Sequence, residues 1–240
     1  MAMRLRTPKE LRVSGMTPLT TIDFPDHLAC VLYTQGCPLR CRYCHNPQLI
    51  PFGDQLASLS WLEIEEFLHR RQGLLEAVVF SGGEPTLQPA LAAAMAVVRE
   101  LGFKVGLHTA GVSPERLAQL LPLADWVGLD VKAPFHRYPQ VTGRNHQAQQ
   151  NRNSLALLLA SDVRFECRTT VDWRLFTPDE LHDLARQLAE LGVQRYAVQI
   201  NQARNCLDPE LEQTVTLSTE QLRVLKQKLA ALFPVFDWRE

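Results

Sequence analysis

No charge of one sign dominates this chain of 240 residues: 25 Lys and Arg stand against 26 Asp and Glu, a formal net charge of −1. Binding nucleic acid through its phosphates takes a basic surplus, and this composition has none. Long apolar runs are missing too. Stretches such as Leu155–Ala160 fall far short of the roughly 20 residues that cross a bilayer. Met1-Ala2-Met3-Arg4-Leu5-Arg6 has no apolar stretch behind its charges, so no signal peptide is expected. Internal repeats of fixed period, charge blocks and Ser/Gly linkers are absent, and 12 glycines with 15 prolines exclude collagen-like and low-complexity classes. What remains, 46% hydrophobic and 21% charged, is the composition of one enzyme-sized domain over 1–240, expected in the cytoplasm.

Short apolar runs alternate with amphipathic stretches. The runs Leu28–Thr34, Ala77–Ser81, Lys104–Thr109, Trp126–Val131, Val163–Val171 and Tyr196–Asn201 predict strands. Several are almost continuously apolar, as in a parallel sheet covered on both faces. Between them, Ser60 with Glu63 predicts a capping box for a helix to Arg71. Pro89 and Gly102 bracket a helix over Ala90–Leu101. Further helices are expected from Ser113 to Leu121, over Asn145–Ala160 with a polar first half, from Thr177 to Gly192, and over Ser218–Leu232. Six strand–helix units in sequence predict a parallel α/β fold with right-handed crossovers. A doubly wound sheet and a barrel both satisfy the pattern; six units favour an open or partial barrel over a closed one.

Cysteine is the unevenly placed residue. Of six, Cys37, Cys41 and Cys44 fall in one short segment after the first strand, spaced C-x3-C-x2-C. In a reducing compartment such a cluster points to metal or redox chemistry rather than disulfides. Three thiolates on one loop can hold three irons of a four-iron, four-sulfur cluster and leave the fourth open. No C-x2-C…C-x2-C zinc ribbon is present; a zinc site recruiting His45 is the alternative, although an adjacent residue rarely has the geometry. Cys30 and Cys167 lie on apolar strands and read as small buried hydrophobes. Cys206 falls in a loop, a position open to exposure, and no second cysteine-rich insertion follows.

With Tyr43 as its aromatic, the segment Cys37-Pro38-Leu39-Arg40-Cys41-Arg42-Tyr43-Cys44 resembles the signature of the radical S-adenosylmethionine enzymes. The resemblance implies a [4Fe-4S] cluster held by Cys37, Cys41 and Cys44, with S-adenosylmethionine on the open iron. Its one-electron cleavage gives methionine and a 5′-deoxyadenosyl radical. It also implies a partial (β/α)6 TIM-type barrel with parallel strands, core about 15–201 and C-terminal helix about 218–233. Barrels of this kind place chemistry at the C-terminal strand ends.

Other strand ends carry further likenesses. Gly82, Gly83 and Glu84 match the family's G-G-E-P, where glycines admit close backbone approach and carbonyls or Glu84 can accept from the cofactor's ammonium. Thr109 ends the third strand, and Asp130 with Lys132 matches the D-x-K of glycyl-radical-enzyme activases; the resemblance places all three near the cofactor. His108 stands where pyruvate formate-lyase-type activases commonly have Asp, so a cation site built on that Asp does not carry over. Asp23 matches the carboxylate of the activase lead-in T-x-D-G-P-G, with Phe24 replacing glycine, and is expected at the substrate end; an Asx turn before Pro25 is the alternative. Strand order puts Arg168 where activases contact substrate peptide or cofactor, and lets Gln199 or Asn201 reach the adenosine. With Cys-His-Asn-Pro at 44–47, the chain looks most like the activating proteins of anaerobic ribonucleoside-triphosphate reductases. That likeness implies a glycyl-radical enzyme as partner and a flavodoxin- or ferredoxin-type reductant, with no part for nucleic acid or membrane.

Overall fold

Apolar strands and capped helices alternate along the chain in a computed structural model that describes residues 7–53, 59–213 and 215–240. Contacts divide it into two compact units, Met1–Pro38 with Gln48–Val127, and Leu39–Pro47 with Gly128–Glu240. The first unit holds β1 (Val13–Thr20), β2 (Ala29–Thr34), α1 (Trp61–Arg71), β3 (Ala77–Gly82), α2 (Leu91–Glu100), β4 (Lys104–Thr109) and α3 (Pro114–Leu120). β2, β3 and β4 run parallel, Ala29 beside Ala77 and Ala77 beside Lys104. β1 lies antiparallel on β2. Ser60 and Glu63 close the expected capping box on α1. Phe24 is fully buried against Ala29, Val31, Ala77, Val79 and Trp126, filling the space above the first halves of these strands.

β5 (Trp126–Asp130) starts in the first unit and ends in the second. The second unit continues with α4 (Tyr138–Thr142), α5 (Gln147–Leu159), β6 (Arg164–Val171), α6 (Pro178–Glu190), β7 (Arg195–Ile200), α7 (Thr219–Ala230) and β8 (Val235–Arg239). β6, β7 and β8 are parallel, with Cys167 beside Tyr196 and Tyr196 beside Phe236. Capping boxes open α6 (Thr177, Glu180) and α7 (Ser218, Gln221). Leu181, Leu184, Ala185 and Leu188 form the buried stripe of α6.

All six expected strand–helix units are present, each boundary within a few residues. β1, α4 and β8 are additions. β1 carries Gly15 and Pro18 and shows no two-residue burial alternation. Proline is tolerated there because the register with β2 is interrupted between Thr17 and Thr20. β8 is a short run with two charges and no fully buried residue. Cys206 is buried, 7% exposed, and does not face solvent. Met1–Arg6 lie outside the described residues. Among the described residues no helix is long and apolar enough to cross a membrane.

Glu180 does more than cap α6. Its carboxylate accepts from Arg137 Nε at 2.8 Å and His136 Nε2 at 2.9 Å. The Arg137 bond above all holds its pKa down at about 2. A depressed carboxylate stabilises the fold above its unfolded pKa, and that contribution is lost as pH falls toward the folded value. Glu180→Gln keeps the capping box but removes the charge. It should cost on the order of 1 kcal/mol at neutral pH, and the urea midpoints of variant and parent should converge as pH drops from the ordinary glutamate range toward 2.

Candidate active site

The turn after β3 lies against the end of β2. Gly83 N–H donates to Thr34 O and Glu84 N–H to Gly36 O, both at 2.8 Å. Gly82 sits at φ +107°, and a Cβ there would meet the Thr34 backbone at 2.4 Å. A Cβ on Gly83 would meet Gly36 O at 2.5 Å. Both positions therefore exclude every residue but glycine. Glu84, 1% exposed, is turned inward. Its Oε1 accepts from Thr86 N–H (3.2 Å), Thr86 Oγ1 (2.7 Å) and Thr109 Oγ1 (2.6 Å), its Oε2 from Ala110 N–H (2.9 Å). Burial pushes its pKa up, and the four donors pull the other way. Glu84 thus ties the ends of β3 and β4 together, and Thr109 is one of the groups it holds.

The cysteine loop is anchored along its length. Gly36 and Cys37 donate their N–H groups to Leu49 O and Ile50 O. Farther on, Arg40 N–H reaches Thr142 O at 2.8 Å and Arg42 N–H reaches Val141 O at 3.0 Å, so the unforeseen α4 is a bracket for this loop. Leu207 N–H donates to Cys44 O and Asp208 N–H to Arg42 O. None of the three cysteines forms a disulfide; Cys41 is buried and Cys37 and Cys44 are half-buried. Desolvation pushes the Cys41 thiol up to about 11, with the Lys132 ammonium opposing it. Three soft donors outside any disulfide, one beside a lysine cation, suit an iron–sulfur group chemically. Among the described residues no three His, Cys, Asp or Glu side chains stand together at metal-ligand spacing.

In the second unit the end of β5 gathers charge. Asp130 accepts from Lys132 Nζ at 2.8 Å and from Arg168 Nε at 3.0 Å. Burial works against the Lys132 charge, but Asp130 together with Tyr43 and Cys41 outweighs it and keeps the ammonium well above the lysine range. Tyr43, buried, donates its hydroxyl to Lys132 O at 3.3 Å, and Lys132 Nζ lies 5.9 Å from its ring. Asp130, Lys132, Tyr43 and Arg168 are thus one cluster. Asn201, directly after β7, bonds to both a carboxylate and the cysteine loop: Nδ2 donates to Asp172 Oδ2 at 2.8 Å and Oδ1 accepts from His45 Nε2 at 2.7 Å.

Asp23 is placed beside Phe24. Its carboxylate accepts from Thr20 Oγ1 at 2.6 Å, and its carbonyl from His108 Nε2 at 2.9 Å. Phe24 packs on Gly106 and Val79, and Asp23 is held beside His108. Cys30 and Cys167 are buried, and desolvation above all raises both thiols, Cys30 to about 12. Residues that sequence reasoning passed over include Arg42, Asp172, Arg174 and Asp208. A signal existed for two of them, since Asp172 and Arg174 follow the end of a parallel strand, where polar residues gather.

Two substitutions test the turn. Gly83→Ala should lower stability by about 2 kcal/mol or more, as forced backbone clashes do. Glu84→Gln should cost about 1–3 kcal/mol, because its NH2 would face a buried N–H or hydroxyl donor. Denaturant midpoints of the purified variants check both; parent-like midpoints would contradict the reading of this turn.

The sequence profile of the Radical SAM superfamily matches residues 31–188. A protein of Methanocaldococcus jannaschii, provisionally assigned as a glycyl-radical enzyme activating enzyme, is 29% identical over 221 residues, 89% of each chain. A pyruvate formate-lyase-activating enzyme of Clostridium pasteurianum is 32% identical over 141 residues, 55% of this chain and 58% of the relative. Among solved structures, Streptococcus suis SuiB bound to S-adenosylmethionine superposes with a TM-score of 0.69 at 14% identity, over 88% of this chain and 50% of that one. This chain therefore spans about half the length of SuiB. Escherichia coli QueE superposes with a TM-score of 0.58 at 15% identity, over 95% and 93%. Those identities carry fold alone, and the α/β fold is shared. Because the superfamily profile covers more than half of its length, the chain belongs to the radical S-adenosylmethionine superfamily.

Proposed function

We propose that this protein is a cytoplasmic activase, a single catalytic domain that installs a glycyl radical on anaerobic ribonucleoside-triphosphate reductase. The observation that carries the reading is C-x3-C-x2-C directly after β2, with the G-G-E-P turn hydrogen-bonded to that strand's end. Cys37, Cys41 and Cys44 would hold a [4Fe-4S] cluster; the assignment rests on their spacing and on the family. When bound, such a cluster would supply the one-electron reduction that cleaves S-adenosylmethionine and, through it, the hydrogen abstraction from the partner's glycine. A flavodoxin- or ferredoxin-type protein would supply the electron.

The chain's own residues orient and enclose. Gly82 and Gly83 would offer backbone to the cofactor, and Glu84 with Thr109 would keep that backbone in place. Tyr43, Asp130 and Lys132 would form a charged wall at the end of β5. Arg168, held by Asp130, would meet substrate peptide or cofactor, and Asn201 would act on the cysteine loop through His45. Asp23 would act from below, through His108, on whatever lies above β4. The protein's contribution is thus orientation, electrostatics and exclusion of water.

A second reading, favoured by the similarity to the Clostridium pasteurianum activating enzyme, is an activase for a pyruvate formate-lyase-type partner. Electron paramagnetic resonance separates the two. Reduced, reconstituted protein with S-adenosylmethionine should raise a glycyl-radical signal on the anaerobic reductase; a signal only on a lyase-type partner would replace the first reading with the second. Cys41→Ala should lose both iron and cofactor cleavage, and retained cleavage would contradict the ligand assignment.

A further inference from the structure

After β7, Asn201–Leu211 lie as a strap along the cysteine loop, and the proposed function gives them no role beyond Asn201. Two of its non-glycine residues, Ala203 and Asn205, are in the left-handed region at φ +51° and +50°. Such backbone persists only where its surroundings over-determine it. Here the surroundings are polar. Arg174 donates to Asp172 Oδ1 and Oδ2, to Leu211 O at 2.8 Å and to Glu210 O, so one guanidinium clamps the strap's far end to the end of β6. Asp172 in turn fixes Asn201: a carboxylate only accepts, so the Asn201 amide nitrogen must point at it. The amide oxygen is then left to receive His45 Nε2–H. On its near side the strap meets the loop directly. Leu207 and Asp208 donate backbone N–H groups to Cys44 O and Arg42 O, and Arg42 Nε donates to Asp208 Oδ2 at 2.6 Å. Arg42 also reaches Glu210 at 3.2 Å, but that carboxylate is 82% exposed. Asp208, at 22%, is the effective partner.

We propose that the strap Asn201–Leu211 is the positioning element of the Cys41–Cys44 turn, and that Arg42 and Asp208 are its positioning residues. The bonds grip the turn on both sides of Tyr43, at Arg42 O and Cys44 O, so releasing the strap leaves only the α4 bracket on this turn and loosens Cys41 and Cys44 without touching either thiol. The consequence for iron–sulfur binding rests on the proposed function. The control of thiol order does not.

The test compares full-length wild type, Arg42→Ala, Asp208→Ala and the charge exchange Arg42→Asp with Asp208→Arg. Its first readout needs no cluster: the rate at which iodoacetamide alkylates Cys44 in the metal-free protein, followed by mass spectrometry. Its second is the rate of iron transfer from reconstituted protein to a ferrous chelator. Each single variant should accelerate both by about fivefold, the scale of a partly exposed ion pair, and the exchange should restore most of the difference while thermal unfolding stays near wild type. Equal alkylation rates in all four proteins, or an exchange no slower than the singles, would overturn the proposal. Wild type that takes up no iron and sulfide would overturn the functional reading alone, because the alkylation result still decides the role of the strap.

Discussion

Backbone meets backbone, with no room for a side chain, where Gly82 and Gly83 pass the end of β2. Hydrogen bonds to Thr34 O and Gly36 O on one side, and absent Cβ atoms on the other, bring the turn after β3 onto the residue that starts the cysteine loop. Glu84 can then enter its buried nest and bind the end of β4 through Thr109 and Ala110. Three strand ends in the first unit are joined by this one approach. A methyl group on Gly82 would meet the Thr34 backbone at 2.4 Å, and one on Gly83 would meet Gly36 O at 2.5 Å.

The second unit solves a different problem, that of burying charge. Asp130 is balanced by Lys132 and Arg168, and the inward Glu166 on β6 by Arg239 on β8. A buried ion lacking its partner is costly, whereas a well-bonded pair adds little net stability. Such groups therefore favour one arrangement over its alternatives more than they hold the fold together. That bulk stability comes from the apolar strand faces and the buried stripe of α6.

Much of this was legible in the residues. Continuous apolar runs located β2 to β7, and Ser60-x-x-Glu63 and Thr177-x-x-Glu180 located α1 and α6, because these signals are local and rest on period and capping. β1 and β8 were not, since an edge strand with Pro18 and a five-residue strand with two charges are defined by what they pair with. The cysteine spacing and G-G-E-P identified the two loops, and the inward turn of Glu84 appeared only with its donors. The strap was not legible: its role depends on Asp172 meeting Asn201 across 29 residues and Arg174 meeting Leu211 across 37, relations no window of sequence contains.

If the loops do what the superfamily assignment and their chemistry imply, the protein is above all a machine for one bond cleavage. The most direct measurement is product analysis of the anaerobically reconstituted, reduced protein given S-adenosylmethionine. The account requires 5′-deoxyadenosine and methionine in equal amounts. Protein that retains iron and sulfide yet leaves S-adenosylmethionine intact would contradict it.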